Sequence, residues 1–269
     1  MNKKIGFLGC GNMGRAMLGG ILKAELVCPN DIFVSVSSPS SEEKIRKEFK
    51  VNVSVQNELA CQNSDILILA VKPQIFKAIS SKISKLVKPN CVIVSVMAGI
   101  TLDYLKSVFP SCKKIVRAMP NTPALSLEAM SAICGEESLS RDELDEVMEI
   151  FNSFGKTEIV SEELFDAVIG ISGSAPAYVF MFIEALADAG VLEGMPRDKA
   201  YSFASQAVLG SAKMVLDTKL HPAVLKDMVC SPKGTTIEAV KSLENDGFRS
   251  AVINAVGKCC DKSREMSKK

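Results

Sequence analysis

The 269-residue chain has no tryptophan, three tyrosines and a single histidine, His221, which precedes Pro222 in an expected loop. With one imidazole in the whole chain, a Ser-His-Asp triad or a histidine-rich metal centre has almost nothing to be built from. Charge of one sign is also missing. Lys plus Arg is 32 against 31 for Asp plus Glu, a net +1, so no overall field exists to gather nucleic acid or an anionic membrane. The nine cysteines are odd in number and scattered, and they form no Cys-x-x-Cys pair. A disulfide framework or zinc site is therefore not expected, and a reduced thiol in apolar surroundings serves as a small core residue. The chain enters its first strand within a few residues, leaving no room for a signal or transit segment, so the expected location is cytoplasmic. A hydrophobic content of 47% supplies the core of one large domain or two ordinary ones.

The stretch that organises the first half is Ile5-Gly6-Phe7-Leu8-Gly9-Cys10-Gly11-Asn12-Met13-Gly14. An apolar run of strand length breaks into Gly-x-Gly-x-x-Gly, and the residues after it continue with helical character. Gly9 permits the turn, Gly11 lets backbone approach a pyrophosphate, and Gly14 lets the helix pack on the sheet. The loop from Cys10 through Asn12 and Met13 then carries the free N–H groups of the helix start toward the phosphates. Strand-helix units follow, which is the context that makes this motif a dinucleotide site rather than a glycine-rich turn.

The second strand, residues 31–36, leads into Ser37-Ser38-Pro39-Ser40-Ser41 and a charged helix from Glu42. An acid that bonds the free ribose hydroxyls of NAD belongs at the end of this strand. None is there. The hydroxyls of Ser37, Ser38 and Ser40, with Lys44 and Arg46 nearby, suit a 2′-phosphate instead, favouring NADPH over NADH. The same serines also fit an ordinary helix cap. Further strands are expected at 51–55, 65–71, 91–96, 114–119 and 129–134. The continuous apolar ones among them have the character of buried parallel strands. Their carboxyl ends, Ala70-Val71-Lys72-Pro73, Ala98-Gly99 and Asn121-Thr122, form the expected floor of a ligand crevice. Leu139 to Phe154 is an amphipathic helix opened by the capping box Ser140 and Glu143, and 157–160 a last strand. Alternation then ceases, placing a domain boundary near Ser161, with residues 1–160 before it and 161–269 after it.

From Glu162 onward the pattern is helical. Leu164 to Gly190 is unusually apolar, yet Ser172, Ser174, Pro176, Glu184 and Asp188 interrupt it, which argues against a membrane span. A helix apolar on nearly every side must be covered on nearly every side, so a second copy of the chain is the expected partner.

Two segments of this half resemble those of pyrroline-5-carboxylate reductases. Ser172-Gly173-Ser174-Ala175-Pro176-Ala177-Tyr178 is similar to that family's Ser-Gly-Ser-Gly-Pro-Ala-Tyr segment. Ser231-Pro232-Lys233-Gly234-Thr235-Thr236, followed by Gly247-Phe248-Arg249, is similar to its Ser-Pro-Gly-Gly-Thr-Thr signature and downstream Gly-Phe-Arg. Ala70 to Gln74 and Met119 to Pro123 match it too, so the resemblance covers the whole chain in order. It implies an α/β Rossmann-type N-terminal domain with a mainly parallel sheet, followed by an all-α dimerisation domain. The implied activity is reduction of the cyclic imine 1-pyrroline-5-carboxylate to L-proline by NAD(P)H, the final step of proline biosynthesis. The implied assembly is a homodimer, with decamers of five dimers in the family.

By the same resemblance the Thr236 hydroxyl bonds the substrate ring nitrogen. Ser231, Gly234, Thr235 and Glu162 line the substrate end, and Asn57 the adenosine end. The residues give this physical sense, because backbone N–H groups where a helix starts at Gly234-Thr235-Thr236 can hold a carboxylate. Thr235 with Glu238 also reads as a plain capping box. Three positions depart from the pattern. Ala175 and Lys233 replace glycines, the latter leaving the loop shape open because lysine adopts φ > 0 less cheaply, and Met228 stands where some members carry a polar residue. The first rival is a β-hydroxyacid dehydrogenase on the same architecture, which places a catalytic lysine on the long central helix, but Gly173 to Val191 contains none. A regulatory protein that binds NAD(P) without turnover is a second rival, and an imine reductase acting on larger rings a third.

Overall fold

The apolar runs become strands because each is buried on both faces, as parallel strands covered by helices must be. In a computed structural model describing residues 1–267, eight strands form one sheet in the order β3-β2-β1-β4-β5-β6-β7-β8. They are β1 (Ile5–Leu8), β2 (Ile32–Ser35), β3 (Asn52–Ser54), β4 (Ile66–Leu69), β5 (Val92–Ser95), β6 (Ile115–Met119), β7 (Ala129–Gly135) and β8 (Gly155–Ile159). Every neighbouring pair is parallel except β6 and β7. The reversal of strand order on either side of β1 and β4 creates the switch point at which such sheets bind ligands.

Helices cover both faces. On one, α1 (Asn12–Lys23), α2 (Pro39–Phe49) and α6 (Arg141–Asn152) bury Met17, Leu18, Ile21, Ile45, Ile150 and Phe151 against Phe7, Val34 and Ile133. On the other, α3 (Asn57–Asn63), α4 (Pro73–Ile83) and α5 (Leu102–Val108) bury Cys61, Phe76, Ile83 and Leu105 against Leu8, Leu67 and Ile93. The Ser140 and Glu143 capping box forms in full. Two local features differ from the pattern-based expectation. Helix α2 starts at Pro39 rather than Glu42, because Ser38 caps it by accepting from the Ser41 amide. Helix α3 is an added element, a seven-residue helix after β3.

The chain divides into two compact units, Met1–Gly173 together with the residues from Cys259 onward, and Ser174–Lys258. The first unit runs past the last strand to Gly173 because the short helix α7 (Phe165–Val168) buries Phe165 beside Met119 and Ala132. A π-helical turn, Ile169–Gly173, closes it. Its C-terminal residues are tied in by Asp166, whose carbonyl accepts from the Cys260 thiol at 3.2 Å and whose Oδ1 accepts from Ser263 at 2.5 Å.

The second unit is wholly helical: α8 (Ala175–Leu192), α9 (Arg197–Thr218), α10 (Pro222–Val229), α11 (Thr235–Asn245) and the first part of α12 (Phe248–Ser267). Helices α8 and α9 pack closely where Gly190 meets Ala200, and Phe182 and Phe248 have ring centroids 6.1 Å apart. Phe180, Met181 and Phe203 are each more than half exposed, at 61%, 69% and 67%, which for side chains of this size marks an interaction surface. Glu162–Leu192 has the length and apolarity of a membrane span, by composition alone.

Candidate functional site

Each glycine of the first loop has a separate steric job. Gly9 has φ +91, and a Cβ there would lie 2.6 Å from Val71 Cγ1 and 3.0 Å from the Ala70 carbonyl oxygen. A Cβ on Gly14 would stand 3.0 Å from the Gly9 oxygen and 3.5 Å from Ala70 Cβ, so α1 sits directly on the strand ends. At Gly11 a Cβ would meet nothing within 4 Å. Gly11 occupies the N-cap of α1 and no side chain caps that helix. The first N–H groups and the positive end of α1 are left for a ligand.

That helix start opens on a cleft of about 920 Å³ along the carboxyl ends of the strands. Its lining comes from Gly9 to Met13 after β1, Ser37 and Ser41 after β2, Val55 and Asn57 after β3, and Ala70 to Pro73 with Ile75 and Ile79 after β4. Met97 and Ala98 after β5, Thr122 and Leu125 after β6, and Ala16, Ser35, Val36 and Val96 complete it. Lys72 is the one charged side chain among these lining residues, and none is a carboxylate. Asn57 is held by the end of β2: its Oδ1 accepts from the Ser35 hydroxyl at 2.5 Å, which leaves Nδ2 out of that bond. Val55, Ile75 and Leu125 join the lining without a signal in the sequence. They are apolar yet 43%, 50% and 62% exposed, and sequence alone does not separate such positions from core.

Cys10 also borders the cleft, and burial pushes its thiol up to about 12. It is a neutral wall group and not a thiolate nucleophile. Burial likewise pushes Cys61 and Cys91 to about 12. Among the described residues no group of three or more His, Cys, Asp or Glu side chains could hold a metal ion. His221 caps α10, its Nδ1 accepting from the Ala223 amide at 3.2 Å.

Four residues expected at the cofactor end are not among those lining the cleft. Gly14 packs α1, and Ser38 caps α2. Gly99, at φ +73, is backed by Met266, whose Cβ and carbonyl oxygen would be 3.3 Å and 3.4 Å from an added Cβ. Asn121 is 9% exposed, its Oδ1 accepting from the Met130 amide and its Nδ2 donating to Ser172. Arg46, a candidate phosphate partner, pairs with Glu42 at 2.6 Å and donates to the Val53 carbonyl. Lys44 is exposed on the same helix.

Glu162 uses Oε1 twice, accepting from the Leu102 amide at 2.8 Å and from Arg117 Nη1 at 2.9 Å. Arg117 is buried, and its guanidinium lies 4.4 Å from the centroid of the Phe165 ring. The carboxylate therefore joins β6, the start of α5 and the segment leading to α7.

In the second unit, Ser231 to Gly234 turns into α11. Lys233 adopts φ +57, the left-handed conformation that a glycine would take at less cost. The turn is closed by the Gly234 amide donating to the Ser231 carbonyl at 3.0 Å. Gly234 is the N-cap, so Thr235 is already the first helical residue and the spacing to Glu238 does not make a capping box. No side chain caps α11, and the hydroxyl-bearing Thr235 and Thr236 lie in its first turn beside free backbone N–H groups. Met228 is 68% exposed, and Ala175 opens α8 ahead of Pro176.

An open, almost all-parallel sheet with a Gly-x-Gly-x-x-Gly helix start facing a cleft at its carboxyl edge defines the class: a Rossmann-type, dinucleotide-dependent oxidoreductase with a helical second unit. A family model described as NADP oxidoreductase coenzyme F420-dependent matches residues 4–99, and one described as pyrroline-5-carboxylate reductase dimerisation matches residues 162–266. The pyrroline-5-carboxylate reductase of Escherichia coli (strain K12) is 49% identical over 268 residues, covering 100% of both chains. Among solved structures, the Plasmodium falciparum pyrroline carboxylate reductase with NADP bound is 34% identical with a TM-score of 0.89, over 99% of this chain and 98% of that one. The enzyme of Coxiella burnetii is 30% identical with a TM-score of 0.91 over 100% of both. The chain belongs to the pyrroline-5-carboxylate reductase family.

Proposed function

We infer that this chain reduces 1-pyrroline-5-carboxylate to L-proline, the last step of proline biosynthesis, with NADPH as the preferred reductant. The observation that carries the reading is the loop Ser231–Thr236. It joins an uncapped helix start, suited to a carboxylate, to hydroxyl groups suited to a ring nitrogen, in a chain that also holds a dinucleotide cleft. When bound, the nicotinamide supplies the hydride. The chain's own work is to bind, orient and exclude water. The Gly11 cap and the first turn of α1 receive the pyrophosphate, and Ala70 to Pro73 with Ala98 form the floor. A protonated imine is already electrophilic at carbon, so positioning matters more than a strong acid. That suits a cleft lined by no histidine and by the neutral thiol of Cys10.

Preference for the 2′-phosphate rests on Ser37 and Ser41 at the cleft and on the absence of any carboxylate among its lining residues. The decisive assay follows oxidation of NADPH and NADH with the cyclic imine. A kcat/KM ratio favouring NADPH by about tenfold or more is expected, about 1.4 kcal/mol of discrimination. No oxidation of either would overturn the activity, and a ratio below one the cofactor preference.

Gly11→Ala separates binding from folding. The added methyl has open space in the protein at an ordinary φ of −75, so the thermal midpoint stays put. The methyl intrudes where the pyrophosphate comes closest, so NADPH affinity falls by about tenfold or more. Unchanged affinity by titration calorimetry would place the pyrophosphate elsewhere.

A cytoplasmic homodimer completes the reading, supported by the dimerisation-type helical region and by the exposed Phe180, Met181 and Phe203. Five such dimers per decamer is the larger assembly that the family resemblance implies. Light scattering at micromolar concentration is expected to give twice the chain mass or a multiple of it. A monomer there would rule the dimer out.

A further inference from the structure

We propose that Asn121 is a positioning residue for the reductase site, joining the cleft wall to the π-helical turn where the first unit ends. Asn121 follows β6 by two residues, and its carbonyl accepts from Ala124 within the 3-10 turn Thr122–Ser126. Two side chains of that turn, Thr122 and Leu125, line the cleft at its β6 end. The side-chain amide is spent on protein. Oδ1 accepts from the Met130 amide in β7 at 2.9 Å, and Nδ2 donates to the carbonyl and hydroxyl of Ser172 at 3.3 Å and 3.2 Å. Ser172 lies in the turn Ile169–Gly173, immediately before the second unit begins. π-Helical turns are rare and occur frequently at functional sites. Here a buried amide from a cleft-lining loop holds one in place. Asn121 is 9% exposed and both ends of its side-chain amide are engaged by protein, so it orders what touches the dinucleotide without touching it.

The inference rests on the reductase reading, and its test is built so that the two fail separately. Asn121→Asp keeps an oxygen for the Met130 amide but loses the donor to Ser172 and sets a carboxylate against the Ser172 carbonyl. Asn121→Ala loses both bonds. Amide hydrogen exchange is expected to accelerate over 169–173 in both variants, and at Met130 only in the alanine variant. In turnover, kcat falls by about 10- to 100-fold in both, the size of effect a displacement of about 1 Å produces. The Kd for NADPH stays within about threefold of wild type, because the pyrophosphate and adenosine ends are held elsewhere. Ser172→Ala removes a single partner and gives the same division at a smaller size, so the proposal can be decided even if the Asn121 variants fail to fold.

A Kd for NADPH that rises in step with the loss of kcat would make Asn121 a direct cofactor contact and overturn the proposal. Wild-type kcat in Asn121→Asp with unaltered exchange over 169–173 would overturn it as well. If the wild-type protein does not turn over the imine, the reductase reading falls alone, and the exchange pattern still decides whether Asn121 holds the turn.

Discussion

Thr236→Ala is expected to lower kcat by about 10- to 150-fold, the equivalent of the roughly 1.5–3 kcal/mol that a hydrogen bond to a charged group contributes. Thr236 is the second residue of α11, half-buried in an uncapped first turn. The substitution removes the hydroxyl and leaves the backbone N–H groups at the helix start in place. Carboxylate binding therefore persists, and KM for the cyclic imine changes less than kcat. Thr236→Ser keeps a hydroxyl and restores a large part of the rate. Residual activity is expected in the alanine variant because the hydride donor and the electrophilic imine need alignment more than proton transfer. Turnover of Thr236→Ala at the wild-type rate would remove this hydroxyl from the mechanism.

The second large effect is on stability. Glu162→Ala strands the Arg117 guanidinium, whose side chain is 4% exposed, and deprives the Leu102 amide of its acceptor at the start of α5. Removing one partner of a buried pair costs about 3–5 kcal/mol. Because the Glu162 side chain is 30% exposed, solvent reaches part of the site and about 2–4 kcal/mol is the expected loss. Glu162→Gln retains an acceptor oxygen and loses less. Urea unfolding of the first unit measures both. A midpoint for Glu162→Ala indistinguishable from wild type would show that Arg117 finds another partner. This cost is present whether or not Glu162 also meets the substrate, so the variant's activity is interpretable only beside its unfolding curve.

How far the chain could be read without coordinates depends on where each signal is local. The strands were legible because parallel strands buried on both faces are written as continuous apolar runs, as in Ile66–Leu69 and Val92–Ser95. The loop Gly9–Gly14 was legible because its glycines answer to steric needs a few residues away. The antiparallel placement of β7 was not, since pairing direction is decided by the whole sheet and leaves no mark on seven residues. Helix α3 escaped for the opposite reason, being too short to show a period. The Ser37–Ser41 stretch held two meanings at once, and both occur: Ser38 caps a helix while Ser37 and Ser41 face the cleft. At Lys233 the family pattern raised the question of loop shape, and φ +57 answers it, with lysine adopting a left-handed conformation that glycine adopts more cheaply. The Thr235 and Glu238 spacing misled because the helix starts one residue earlier than a capping box requires.

The return of the chain to its first unit at Cys259 makes the second unit an insertion rather than an appendage. Asp166 and Gly99 wait for Cys260, Ser263 and Met266, which follow the whole second unit in the chain. On the ribosome the first unit therefore stays unfinished until the second unit has been made, holding its β5 loop and α7 without that support. Substitutions at Cys260, Ser263 or Met266, remote in sequence from the glycine loop, act on that unit.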